Sequence, residues 1–174
     1  MSRSQLTTEE LQGWYSFVQA HHQVLRQLDG ELLREHRLPL ASYEVLLWLA
    51  QSPGRSMKMA DLARVCRLSP SGLTRLIDRL VRDGLVERRA SGADARIMLA
   101  HLTDKGVDRF RKAAPTHVRA IKDHFTSKLG NSHLEQVTDA LQLIIGEPEC
   151  PRPPRVDARP RRSRGPRLRL ATRA

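Results

Sequence analysis

Apolar residues along this 174-residue chain change their period several times, and each change marks an element. After Thr7-Thr8-Glu9-Glu10, where Thr7 and Glu10 stand at capping-box spacing, Leu11, Trp14, Tyr15, Val18, Leu25, Leu28 and Leu32 recur at steps of three, four and seven. The spacing predicts one helix running to about His36, roughly twice the mean length of a globular helix. A small domain can hardly bury that much helix by itself. Pro39 ends the segment, Ser42 to Gln51 read as a second helix with Val45, Leu46, Leu47 and Leu49 inward, and Ser52-Pro53-Gly54 is a turn. Met59 to Cys66 give a third helix, apolar at Met59, Leu62, Ala63 and Cys66.

Ser69 then has the chemistry of an N-cap, with Pro70 at the first helical position, where a missing N–H costs nothing. In the fourth helix Leu73, Leu76, Ile77 and Leu80 fall at i, i+3, i+4 and i+7, which commits that face to the core. Ser71, Thr74, Arg75 and Asp78 are left facing outward. Two short helices joined by a tight turn, the second presenting small and donor-bearing side chains near its N-terminus, form the arrangement that lays a helix into a DNA major groove. Arg75 has the fork geometry to bond guanine O6 and N7 together, with Thr74 and Ser71 beside it. Ser69 at the helix N-terminus, where a phosphate is favoured, and Arg79 one turn on complete the DNA-facing candidates of this helix.

Gly84 stops the helix, and Leu85 to Arg89 and Arg96 to Leu102 read as two strands around a small-residue tip, Ala90 to Ala95. Such a tip beside a recognition helix reaches the adjacent minor groove, where Arg96 is the candidate cation and Asp94 the residue that pins it. Thr103 caps a fifth helix whose stripe is Val107, Phe110, Ala114, Val118, Ile121, Phe125 and Leu129, with Pro115 inside it as an expected kink. Gly130-Asn131-Ser132 break the pattern, and a last helix from about His133 to Ile145 carries Leu134, Val137, Leu141, Ile144 and Ile145.

The net charge of +11 would by itself suggest a nucleic-acid partner, but it is unevenly placed. Residues 148–174 hold nine arginines against Glu149 and Asp157, a net of +7, which leaves only +4 for residues 1–147. The tail is rich in proline and arginine and poor in large apolar residues, so disorder is its expected state and non-specific phosphate affinity its alternative role. DNA recognition must therefore rest on where the charges of the folded part sit. The Met1–Gln5 segment lacks the apolar stretch of a secretion signal, and no apolar run is long enough to cross a bilayer, so the expectation is a cytoplasmic protein with no membrane partner.

Cys66 and Cys150 stand in unlike settings, which argues against a disulfide framework. Cys66 lies on an inward face and reads as an inert buried thiol, although flanking Arg64 and Arg67 keep a redox-sensing alternative open. His21, His22 and His117 lie beside apolar faces and are the candidates for an effector site, without a zinc-ligand spacing. No nucleophile elbow, phosphate-binding glycine loop or βαβ repeat is present, so neither an enzyme nor a cofactor is expected.

The order of elements over residues 8 to about 146 resembles the MarR family of winged helix-turn-helix transcriptional regulators. The resemblance is densest in Leu68 to Leu80, Gly84 to Arg88, and Asp94-Ala95-Arg96 leading to Leu102-Thr103-Asp104-Lys105-Gly106. It implies a mainly α fold with a small β-wing. Residues 39–103 would form the DNA-binding lobe, and residues 1–38 and 104–147 a helical dimerisation domain that buries the over-long first helix in a homodimer. It also implies double-stranded DNA as partner, pseudo-palindromic half-sites about 10 base pairs apart, repression of nearby genes, and release by a small aromatic or anionic effector in a crevice between lobe and dimer helices. One departure lies in the wing: the family commonly has Asp-Arg-Arg where this chain has Asp94-Ala95-Arg96, so one wing cation is missing.

Overall fold

A computed structural model describes residues 5–91 and 97–146. Its elements are α1 (Thr8–His36), α2 (Leu40–Gln51), a short 3-10 turn, β1 (Ser56–Lys58), α3 (Met59–Val65), α4 (Pro70–Arg82), β2 (Val86–Ala90), β3 (Met98–Leu102), α5 (Asp104–Ile121) and α6 (Ser127–Ile145). The fold is mainly helical with a small winged sheet, as expected. The three strands are antiparallel in the order β1-β3-β2, with β3 central: Ser56 lies opposite His101 on one side of it and Glu87 opposite His101 on the other.

Local chemistry explains most boundaries. In α1 the capping box forms, Thr7 Oγ1 accepting from the Glu10 amide and Glu10 accepting from the Thr7 amide at 2.7 Å. At the end of α4, Gly84 takes a left-handed φ of 70°, and its amide and that of Leu85 bond back to Val81 and Leu80 carbonyls, which satisfies two orphan acceptors. The end of α3 closes in the same pattern, but there the left-handed residue is Arg67, at φ 53°. Cys66 is the C-cap of α3 and half-buried against the core, not fully enclosed.

Three differences from the sequence reading have physical causes. First, α2 begins at Leu40, two residues earlier than Ser42, because Asp29 Oδ1 on α1 accepts from the Leu40 amide at 2.7 Å and supplies a long-range cap. Second, Ser56–Lys58 is a strand, held by pairing to β3. Third, α5, whose stripe was expected to continue past Pro115 to Leu129, runs through Pro115 and ends at Ile121; a π turn follows at Lys122–Thr126, and the backbone of Gly130, at φ 65°, interrupts α6 where the Gly130-Asn131-Ser132 break was expected.

One apolar cluster runs from Leu28 and Leu32 of α1 through α2, α3, α4 and the sheet to Val107, Ala113, Ala114 and Ala120 of α5. Leu73, Ile77 and Leu80 of α4 are all essentially buried, which fixes the rotation of that helix. A polar joint ties α1 to α5. Arg119 donates to Glu35 at 2.6 Å, holding that carboxyl below its ordinary pKa together with Thr116, which donates at 2.8 Å. Because the Thr116 hydrogen goes to Glu35, His36 Nε2 is the donor in its 2.8 Å contact with Thr116 Oγ1. His124, on the π turn, meets Glu31 at 2.5 Å.

The ends of the chain are another matter. Leu11, Trp14, Tyr15 and Phe17 on α1 are exposed, as are Leu143, Ile144 and Ile145 on α6, and α6 buries no residue fully. Among the described residues, no helix is long and apolar enough to cross a membrane.

Candidate nucleic-acid interface

The candidate face is built by the N-cap of α4. Ser69 Oγ accepts from the Gly72 amide at 3.1 Å and lies 3.3 Å from Ser71 Oγ, so the first turn is pinned and its remaining N–H groups point off the end of the helix. Thr74 Oγ1 donates to the Pro70 carbonyl at 2.8 Å; its hydrogen is spent within the helix and its oxygen remains an acceptor. Ser69, Ser71, Thr74 and Arg75 are all exposed. Among the described residues Arg75 has no hydrogen-bond or ion-pair partner, so its fork of donors is available to whatever the helix meets.

Asp78, next on the same stripe, is engaged: its Oδ1 lies 2.7 Å from the Arg88 guanidinium on β2. This pairing was not visible in the sequence, where Asp78 was one more outward residue. Arg79 lies at the edge of the stripe and lines a crevice, described below. Asp94 and Arg96, the wing candidates, lie outside the described residues, as do Cys150 and the arginine-rich tail. The wing is closed as far as it can be followed, with Ser91 N donating to Ile97 O at 2.8 Å.

Behind the candidate face, the end of α4 is stapled to the start of α5. Thr103 caps α5 by accepting from the Gly106 amide at 3.0 Å and donates back to the Gly84 carbonyl at 2.8 Å, while Lys105 Nζ donates to the Asp83 carbonyl at 2.7 Å. Gly106 presses on this junction so closely that a Cβ there would stand 2.2 Å from the Leu85 carbonyl oxygen. The Thr103-Asp104-Lys105-Gly106 run is thus a mechanical link between α4 and the long helices α1 and α5.

An open crevice of about 720 Å³ lies against this link, lined by Leu33, Leu38, Leu80 and Leu85 and by a set of cations, Arg37, Arg79, Arg82, Lys105, Arg109 and Lys112, against Asp83 and Asp108. The three effector-candidate histidines are not there. His21 and His22 are exposed, side by side on α1, with His21 stacked on Phe17. His117 is buried under Tyr43, ring centroids 4.4 Å apart, and burial lowers its pKa to about 4. No local sequence signal gathers the crevice cations, which come from three separate segments; Arg79 and Lys105 belonged to motifs already singled out, Arg79 as a DNA-facing candidate. Among the described residues, no group of three or more His, Cys, Asp or Glu side chains could hold a metal ion.

Comparison with known proteins agrees with this geometry. Residues 38–97, the lobe from the start of α2 to the wing, match the model of the MarR family. Over 115 residues the chain is 31% identical to the homoprotocatechuate degradative operon repressor of Escherichia coli, covering 66% of this chain and 75% of that protein. The chain belongs to the MarR family. Two solved MarR-family regulators from Streptomyces coelicolor share the fold over most of its length. Sco3205, solved in complex with DNA, is 30% identical with a TM-score of 0.77, covering 82% of this chain and 89% of that one. AbsC is 33% identical with a TM-score of 0.76, covering 80% and 94%. As a MarR-family member this chain is a winged helix-turn-helix transcription regulator and not an enzyme.

Proposed function

We propose that this regulator binds a pseudo-palindromic operator as a homodimer, represses transcription from it, and lets go when a small anion occupies the crevice beside the α4–α5 link. The observation that carries the operator reading is the free Arg75 fork on an exposed, N-capped helix whose opposite face is locked in the core. Ser71 and Thr74 sit beside Arg75 as short groups that let the helix approach base edges, and Ser69 caps an N-terminus that favours a phosphate. Support for the dimer comes from the apolar ends: Trp14 and Tyr15 are more than half exposed and Leu143 is 87% exposed, a cost that a second copy of the chain would remove. The E. coli relative is named as an operon repressor, and Sco3205 was solved on DNA, which favours repression by operator binding.

The test is selection of bound sequences from a random duplex pool, followed by footprinting upstream of the gene. A two-fold symmetric site with half-sites about one helical turn apart is the expected result. Protection without any sequence preference would overturn the reading, as would a monomeric mass by light scattering at micromolar concentration.

A further inference from the structure

We propose that the crevice takes a multiply charged, non-aromatic anion, a phosphorylated or polycarboxylate small molecule; this deepens the effector reading above and rests on it. Of the six cationic side chains lining the crevice, three are already engaged: Lys105 with the Asp83 carbonyl, Lys112 with Asp108 at 2.8 Å, and Arg109 with the His36 carbonyl. The other three, Arg37, Arg79 and Arg82, have no hydrogen-bond or ion-pair partner among the described residues. They are guanidinium forks, suited to holding a phosphoryl or carboxylate group through two parallel hydrogen bonds.

Position sharpens the argument. Arg79 and Arg82 lie in the last turn of α4 and Arg37 is the left-handed C-cap of α1, at φ 47°, so each stands where a helix dipole favours a cation. The dipoles do not account for all three lining one crevice. Unpaired cations from two elements thus converge on one cavity whose size suits a small molecule.

The rest of the lining decides the class. The apolar part of the wall is aliphatic, Leu33, Leu38, Pro39, Leu80 and Leu85, and among the described residues no aromatic ring lines it. An aromatic monoanion would find no ring face to stack on and would leave two of the three guanidiniums unanswered. An anion with two or three charged groups answers all of them. By bridging Arg37 to Arg79 and Arg82 it would tie the end of the recognition helix to the α1–α2 junction, which sets how the lobe is held on the scaffold. The same chemistry could come from a DNA backbone phosphate. However, Arg82 lies seven residues beyond Arg75, about 10 Å down the helix from the groove-reading turn, which favours the small molecule.

The experiment uses the full chain at constant ionic strength, with pyrophosphate and citrate as multiply charged probes and benzoate as the aromatic monoanion. Calorimetry measures binding, and fluorescence anisotropy follows release from the selected operator. Arg37→Asn removes the charge while keeping a residue that tolerates the left-handed backbone, and Arg111→Gln, an exposed α5 position outside the crevice, is the charge control. The expected result is that pyrophosphate or citrate binds at least about tenfold tighter than benzoate, that Arg37→Asn weakens it about tenfold, and that Arg111→Gln does not. Benzoate binding as tightly, with the same dependence on Arg37, would overturn the ligand class while leaving the crevice effector reading intact. Absence of binding by all three probes would overturn both. If Arg37→Asn instead weakens operator and scrambled duplex alike and lowers the salt slope by about one, the site is a DNA phosphate contact and the inference is overturned.

Discussion

Asp78 on α4 and Arg88 on β2 form a 2.7 Å ion pair that fastens the recognition helix to the first strand of the wing. Both side chains are partly exposed, so the pair contributes at most about 1 kcal/mol to stability. Its importance is positional. Asp78 stands on the stripe that carries Ser71, Thr74 and Arg75, where an unpaired carboxylate would repel DNA phosphates, and Arg88 neutralises it while fixing the angle between helix and wing. Asp78→Asn is therefore expected to change the melting temperature little, to raise affinity for scrambled duplex through the freed Arg88, and to narrow the operator preference severalfold. Anisotropy titrations on matched operator and scrambled duplexes check this. An unchanged ratio would mean that the pair is only a surface contact.

Arg75→Ala should separate specificity from affinity. Loss of a bidentate guanine contact costs about 1–3 kcal/mol of discrimination, so the operator-to-scrambled ratio should fall by roughly 10- to 100-fold at a single base position of each half-site. Arg75→Lys keeps the charge but loses the fork, and should restore non-specific affinity without restoring the ratio. Equal discrimination by wild type and Arg75→Ala would remove this residue from base reading.

Gly106→Ala tests the link between α4 and α5. The added methyl would meet the Leu85 carbonyl oxygen at 2.2 Å and Leu102 Cδ1 at 2.6 Å, and backbone cannot yield as the tip of a side chain can. Overpacking of this kind costs about 1–3 kcal/mol, even though alanine is otherwise the better helix former. The variant should melt several degrees lower in thermal scans. If it folds, the displaced α5 should also weaken operator binding more than Asp78→Asn does. A melting temperature at or above that of wild type would show that the junction gives way easily.

These residues show how far the sequence could be read. Elements set by local chemistry were legible: the Thr7–Glu10 capping box, Ser69 before Pro70, the Gly84 stop and the inward Leu73, Ile77 and Leu80 all depend on neighbours within a turn or two. What escaped depends on partners far along the chain. The first turn of α2 is capped by Asp29 eleven residues earlier, and β1 has only three residues, too few for alternation to show, and exists because β3 pairs with it. The Asp78–Arg88 pair and the crevice cations are likewise products of tertiary packing. Histidine placement failed to show for the same reason: periodicity put His117 near an apolar stripe, but only the fold brings Tyr43 onto its ring.

His117 gives the last prediction. Its side chain is 9% exposed, its ring lies against Tyr43, and its Nδ1 has no hydrogen-bond partner among the described residues, as is also true of the Tyr43 hydroxyl. Burial disfavours the imidazolium and lowers the pKa from 6.5 to about 4. The unfolded chain takes up a proton near pH 6.5 while the folded chain does not until about pH 4. The stability contributed by a neutral His117 is thus fully present above pH 6.5, is lost as the pH falls, and is exhausted below pH 4. The shift corresponds to roughly 3 kcal/mol over that window. His117→Leu removes both the titration and the unpaired ring nitrogen, so its denaturant midpoint should fall less than that of wild type between pH 7 and pH 4.5. Parallel curves for the two proteins would mean that the buried ring finds a way to protonate without unfolding.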